Sequence, residues 1–233
     1  MTGLFVTGTD TGVGKSVLAA AIVAGLTARG VDARALKPVM TGIEAPPEEG
    51  WPPDHVLLAS VSGCEPEEVV TQGYGPAVSP HLAAELEDRP IEPAAVVRAV
   101  ATAASEHEVV IVEGVGGLLV PLNAGYDVRR LAAEIGMPML VAARPGLGTI
   151  NHTLLTLESA REAGLHVTGV VLTPWPREPD EIAYSNGETI EQLGAVEVSA
   201  LPRVERPDPA LLAAAGGQLP LDRWLEPLVS LTG

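Results

Sequence analysis

Aromatic side chains are scarce, at 3% of 233 residues, although 46% of the chain is hydrophobic. The core must therefore be assembled from Ala, Val, Leu and Ile, as in buried parallel sheets covered by alanine-rich helices. Cysteine is nearly missing too. Cys64 stands alone, which excludes an intrachain disulfide and a thiolate metal cluster. The histidines (His55, His81, His107, His152 and His166) lack the spacing of a metal site. No apolar run is long enough to span a membrane. The first residues, Met1-Thr-Gly-Leu-Phe-Val, carry no charged segment ahead of an apolar one. A cytoplasmic location is the default expectation. Positive charge is short as well: 14 Lys and Arg against 30 Asp and Glu leave a net charge of −16. Nucleic acid and anionic membranes are poor partners for such a chain, since both attract a basic face.

The shortage of lysine is sharper still. The chain has twelve arginines and only Lys15 and Lys37. Where any cation serves, this sequence uses Arg. A compact, flexible ammonium survives at two positions, where a planar guanidinium fork is not equivalent.

Along the chain, apolar strands alternate with helical patterns. Leu4–Thr7 reads as a buried strand, a glycine-rich stretch fills 8–14, and a helix runs from Lys15 to about Ala28, with Gly30 as its stop. Ala33–Lys37 is a second strand. Residues 42–53, rich in Pro and Gly, form a loop, and a short helix begins near Asp54. Helices are expected over 79–87, 93–106, 127–135, 149–163 and 180–193, and strands over 109–112, 138–142, 167–172 and 196–201. Short helices among prolines close the chain. The alternation predicts one α/β domain over 1–233, a P-loop NTPase-type three-layer α/β/α fold with a mostly parallel central sheet.

Gly8-Thr-Asp-Thr-Gly-Val-Gly-Lys15-Ser16 lies between a strand and a helix, the setting of a phosphate-binding loop. Its backbone N–H groups and the helix N-terminus would cradle the β- and γ-phosphates of a nucleoside triphosphate. Lys15 would reach the phosphate oxygens and Ser16 would ligate Mg²⁺. The first glycine sits one residue earlier than the strict pattern, with Thr9 in its usual place. Val109-Val-Ile-Val-Glu113 is an apolar strand closing on a carboxylate, which could hold the metal directly or through water. Lys37 ends a strand that would open on the same cleft, where a second ammonium could offset charge developing during transfer. Asp54 reads equally well as a helix N-cap or as a cleft carboxylate.

Five motifs occur in one order: Gly8–Ser16, Lys37-Pro-Val-Met-Thr41-Gly42, Ser79-Pro80-His81, Val112-Glu-Gly-Val-Gly-Gly-Leu118 and Gly148-Thr-Ile-Asn151-His152. Together they resemble the ATP-dependent dethiobiotin synthetases, over roughly residues 3–205. The resemblance implies ATP, Mg²⁺, CO₂ and 7,8-diaminononanoate as reactants. An amine takes up CO₂ as a carbamate, the γ-phosphate activates it, and the other amine closes a ureido ring. Carried over by position, Lys37, Lys15 and Thr11 are catalytic, and Ser16, Asp54 and Glu113 organise Mg²⁺. Nucleotide contacts fall on Gly12, Val13, Gly14, Val17, Gly114, Val115 and Gly116, and near the base and ribose on Thr173, Pro174, Pro202, Arg203, Val204 and Asp208. Thr41, Ser79 and Pro80 face the substrate. Family members are homodimers in which the partner subunit holds the substrate carboxylate; the matching positions are Gly148, Thr149, Ile150, Asn151 and Tyr184. Read without the resemblance, Asn151 is a helix-start residue and Tyr184 a surface tyrosine.

One departure stands out. Where the family often has Asn-Asp after the strand at 167–172, with Asn reading adenine, this chain has Thr173-Pro174. Weak selection among ATP, CTP and GTP is expected, because Thr lacks the paired contacts of an amide. Rival readings fit less well. An amide synthase of the same class needs a glutaminase domain for which the chain is too short. A P-loop ATPase switch of the partitioning type carries a signature lysine where this sequence has Asp10. A module that only binds nucleotide leaves Lys37 and the 79–81 segment without a purpose.

Overall fold

A strand apolar on both faces is stable only with cover above and below it. Gly3–Gly8 (β1) is such a strand, and all of its residues are buried. The computed structural model describes residues 2–46 and 49–225. The strands that follow are Ala33–Leu36 (β2), Val39–Thr41 (β3), Gln72–Tyr74 (β4), Val109–Gly117 (β5), Pro121–Asn123 (β6), Tyr126–Asp127 (β7), Met139–Ala143 (β8), Val167–Trp175 (β9) and Val198–Pro202 (β10). Six of them form one sheet in the order β10-β9-β8-β1-β5-β2, and every adjacent pair is parallel. The helices are Lys15–Thr27 (α1), Asp54–Ser62 (α2), Pro66–Val69 (α3), Pro80–Leu86 (α4), Pro93–Glu106 (α5), Val128–Ile135 (α6), Thr149–Glu162 (α7), Glu181–Gly194 (α8), Pro209–Gly216 (α9) and Leu221–Leu225 (α10).

The period of two along each strand divides the core. Leu4, Val6, Ile111, Leu140 and Ala142 face one side, where Leu18 and Ile22 of α1, Leu57 of α2, Leu212 of α9 and Trp224 of α10 meet them. Phe5, Val110, Val112, Met139 and Val141 face the other, against Ala83 of α4, Val96 of α5, Leu131 of α6, Leu157 of α7 and Ile190 of α8. The result is three layers, α/β/α.

Helix α1 is buried nearly all round, from Leu18 to Leu26. It lies so close to α9 that a methyl group added at Gly216 would sit 1.9 Å from the Ala21 carbonyl oxygen. Small residues make that approach possible.

Several details differ from the sequence reading. Strand β5 continues past Glu113 to Gly117, still paired to β1 at Gly8. The last strand of the sheet begins at Val198 and not at Val196. Helix α3, the small parallel pair β3–β4 and the antiparallel pair β6–β7 were not expected. The expected domain over 1–233 and loop over 42–53 extend onto Met1, Pro47, Glu48 and 226–233, which lie outside the described residues.

Candidate functional site

The carboxyl ends of β1, β2 and β5 open on one side of the sheet, the place where parallel α/β sheets bind ligands. Between β1 and α1 the chain turns through Gly12 (φ 69°) and Gly14 (φ 89°), a left-handed backbone that suits glycine. A side chain at Gly14 would also press on Thr173, whose Oγ1 lies 3.1 Å from the added carbon. The loop is tied by its own groups. Lys15 Nζ donates to the Asp10 carbonyl at 2.8 Å, the Thr11 N–H donates to Asp10 Oδ1 at 2.7 Å, and Arg144 donates to the Thr11 carbonyl at 3.2 Å.

Lys37 follows β2, and its N–H donates to the Val69 carbonyl at 2.9 Å. Its side chain enters the cleft. There Nζ donates to Glu113 Oε1 at 2.7 Å, to Asp54 Oδ2 and weakly to Ser16 Oγ at 3.5 Å. Ser16 Oγ donates to the same Glu113 Oε1 at 2.9 Å. Four side chains from α1, the end of β2, α2 and β5 thus meet at one point. Asp54 is the first residue of α2, after the N-cap position Pro53, and its carboxylate meets Lys37 Nζ in the cleft.

Burial sets the electrostatics. It disfavours the charge on Lys37, but Glu113 and Asp54 outweigh it and hold the ammonium above its ordinary range. It also opposes the charge on Asp54, where Lys37 prevails and keeps the carboxyl below the usual carboxylate range. For Glu113, fully enclosed, burial wins over Lys37 and pushes the carboxyl up. One ammonium cannot neutralise two carboxylates, so the more deeply buried one carries the deficit. Burial lowers Lys15.

Among the described residues, no group of three or more His, Cys, Asp or Glu side chains is arranged to hold a metal. A cation that arrives with phosphate oxygens needs fewer protein ligands. Mg²⁺ typically takes one or two carboxylates and fills its shell with phosphate and water. Ser16, Asp54 and Glu113 offer hard oxygens of that kind. Glu113 Oε2 is buried with no hydrogen-bond partner, as expected of a ligand atom meant for a further cation.

The cleft encloses about 680 Å³. Thr11, Gly12, Gly14, Lys15, Ser16 and Val17 line its floor, with Lys37, Asp54, Glu113, Val115 and Gly116 beside them. Thr41, Ser79 and Pro80 line its far side. Other expected positions lie elsewhere. Val13 is buried beneath the loop, and Gly114 backs onto Phe5 and Val128. Thr173 is buried against the loop and Pro174 is exposed. The Arg203 N–H donates to the Trp175 carbonyl at 3.0 Å, next to Pro202. Val204 packs on the core under α1, and Asp208 caps α9 through Ala210 N at 2.9 Å. Gly148, the N-cap of α7, and Thr149, Ile150, Asn151 and Tyr184 are not in the lining. Thr149 is buried with Oγ1 3.4 Å from Thr153 Oγ1, Asn151 is exposed, and Tyr184 packs edge-on to Trp175 at 5.5 Å.

Sequence reasoning missed Trp51, Met40 and Val120, which wall the cleft, and Arg144 on the phosphate loop. Arg144 directly follows β8, and its place after a strand at this edge is the signal that could have found it.

Comparison with known proteins follows the same direction. The sequence model of a family described as an AAA domain matches residues 2–208. The ATP-dependent dethiobiotin synthetase BioD of Anaeromyxobacter dehalogenans is 43% identical, over 94% of this chain and 97% of its own length. The proteins of that name from Haloferax mediterranei and Bacillus subtilis subsp. natto are 34% and 35% identical, over 94% and 85% of this chain and 92% and 85% of theirs. Among solved structures, apo McdA of Cyanthece (TM-score 0.56, 12% identity, all of both chains) and a ParA family ATPase of Chlorobium tepidum TLS (TM-score 0.52, 15% identity, 99% of this chain and 98% of that one) share the fold.

Proposed function

The chain belongs to the ATP-dependent dethiobiotin synthetase family, and on that premise we propose how its own residues carry the reaction. It is an ATP-dependent ligase of biotin synthesis, built as a single domain. One amine of 7,8-diaminononanoate adds to CO₂ and loses a proton, forming a carbamate. A carbamate oxygen attacks the γ-phosphorus and ADP leaves. The second amine then attacks the carbamoyl carbon, the ureido ring closes, and phosphate departs.

The difficulty is electrostatic, since an anion must approach a polyanion. The observation that supports this reading is the meeting of Lys37 Nζ with Ser16, Asp54 and Glu113, in a cleft that Lys15 shares. Lys15 binds the β- and γ-phosphates, with the N–H groups of Gly12 to Val17. Lys37 holds the carbamate against the γ-phosphate, and Thr11 and Thr41 orient the amines. Ser16, Asp54 and Glu113 hold Mg²⁺, which supplies charge neutralisation on the phosphates. Ser79 and Pro80 wall the alkyl chain.

Homodimer formation completes the substrate site in this reading: Gly148–Asn151 and Tyr184 serve the partner's substrate. Their places outside the cleft of their own chain suit that role, and a helix start is a natural carboxylate site. The burial of Thr173 against Gly14 leaves its hydroxyl poorly placed to read a base. ATP is therefore a co-substrate that other nucleoside triphosphates can replace. No helix among the described residues is long and apolar enough to cross a membrane.

The test is phosphate release with diaminononanoate and bicarbonate, omitting each in turn. Release should require both. Release indifferent to diaminononanoate would overturn the assignment. Initial rates with subsaturating ATP, CTP and GTP should agree within about tenfold, a difference of about 1.4 kcal/mol in barrier. A strong preference for ATP would refute the weak-selectivity reading alone.

A further inference from the structure

We propose that the Lys37 ammonium and a divalent ion compete for one carboxylate pair, so that a metal–nucleotide complex frees Lys37 to act on substrate. The inference rests on the reading above that Asp54 and Glu113 are metal ligands. It adds an order of events: the metal does not bind first, and Lys37 is not available until the metal has come.

The geometry carries the argument. Lys37 Nζ contacts Asp54 Oδ2, Glu113 Oε1 and Ser16 Oγ, the same three side chains that would face the metal. Ser16 also donates to Glu113 Oε1. A divalent ion bound by these oxygens would lie roughly 2 Å from each. The ammonium, 2.7 Å from Glu113 Oε1, cannot keep its place beside such an ion, because both the space and the charge conflict. An ammonium on a flexible four-carbon stem can leave by rotation. The cleft gives it somewhere to go, since Lys37 and Thr41 line one continuous space. The exchange also meets a need of the site. Lys37 and Ser16 both donate to Glu113 Oε1 and leave Oε2 without a partner, so together they under-satisfy the carboxylate that a divalent ion would satisfy.

Two measurements test this. The first is Mn²⁺ binding to nucleotide-free protein, read from the electron paramagnetic resonance of free Mn²⁺. Wild type should bind weakly. Lys37→Gln should bind at least about tenfold more tightly, because a competing unit charge has been removed. Lys37→Gln combined with Asp54→Asn should lose the gain. Equal or weaker binding by Lys37→Gln would overturn the proposal. The second needs no variant at position 37. With only Lys15 and Lys37 in the sequence, labelling lysine with ¹³C at Cε gives two lysine resonances. The Lys37 signal should stay in place with a non-hydrolysable ATP analogue alone and move when Mg²⁺ is added. A signal that ignores Mg²⁺ sinks the idea. Neither measurement involves diaminononanoate, so failure here leaves the ligase reading intact, and failure of the phosphate-release assay leaves the competition intact.

Discussion

A buried charge is tolerated only with compensation, and removing one partner of a buried pair costs more than the pair contributes. Lys37 is such a group, 7% exposed and shared between two carboxylates. Replacing it by Gln should cut turnover by about 10²–10³-fold, the scale of losing one preorganised charge at the reacting atoms, while nucleotide binding persists. Lys15→Gln should damage both, because in the proposed mechanism its ammonium would meet the phosphates in ground and transition states alike. Steady-state kinetics with parallel nucleotide titrations separate the two outcomes. Near-normal turnover in Lys37→Gln would reduce Lys37 to a structural cation. Acid should expose the pairing from the other side. The Asp54 carboxyl is held below the usual carboxylate range, so its contribution to stability is present above the unfolded carboxylate range and is lost as pH falls through its lower folded value. In metal-free protein, Asp54→Asn should soften the decline of the urea midpoint on acidification. An unchanged decline would mean that Lys37 does not hold Asp54 in solution.

At the level of elements, the closest contact is α1 against α9. Gly216→Ala would place a methyl group 1.9 Å from the Ala21 carbonyl oxygen, and rigid backbone must shift to admit it. A loss of about 1–3 kcal/mol is expected, seen as a lower urea midpoint with an unchanged slope. The long elements were legible in the sequence because their patterns are local. Leu4–Val6 and Val109–Val112 are apolar on both faces, and the run from Leu18 to Leu26 is apolar all round. What escaped was decided elsewhere in the chain. Val39–Thr41 is extended because Gln72–Tyr74 lies beside it, and no three-residue pattern announces that. Helix α3 did leave a trace. Glu65-Pro66-Glu67-Glu68 places Pro at the first helical position, and the Glu68 carboxylate accepts from the Glu65 N–H at 2.8 Å. The phosphate loop, Lys37 and Glu113 were readable as strand ends at one sheet edge. Arg144, the residue after β8, was readable by the same rule and was passed over, whereas Trp51 reaches the cleft from the proline-rich loop through tertiary packing, which spacing does not encode.

For the whole molecule, the net charge of −16 favours solubility but does not hide every apolar side chain. Leu147 is 98% exposed ahead of α7, Leu155 on α7 and Ile182 and Tyr184 on α8 are more than half exposed, and the two helices pack together. Exposed apolar side chains on neighbouring helices suit a surface covered by a second copy. Sedimentation at micromolar concentration should find dimers, and Leu147→Asp together with Leu155→Asp should shift them toward monomers. A monomeric wild type would leave the Gly148–Asn151 role without support.

The two lysines of the chain lie at 6% and 7% exposure, inside the cleft. To reagents and enzymes that recognise primary amines on side chains, the exterior is blank. A protease that cuts only after lysine has no accessible bond until α1 or the end of β2 comes apart. Digestion by it becomes a clock for the opening of the cleft, and a bound nucleotide should slow that clock by as much as it holds the cleft shut.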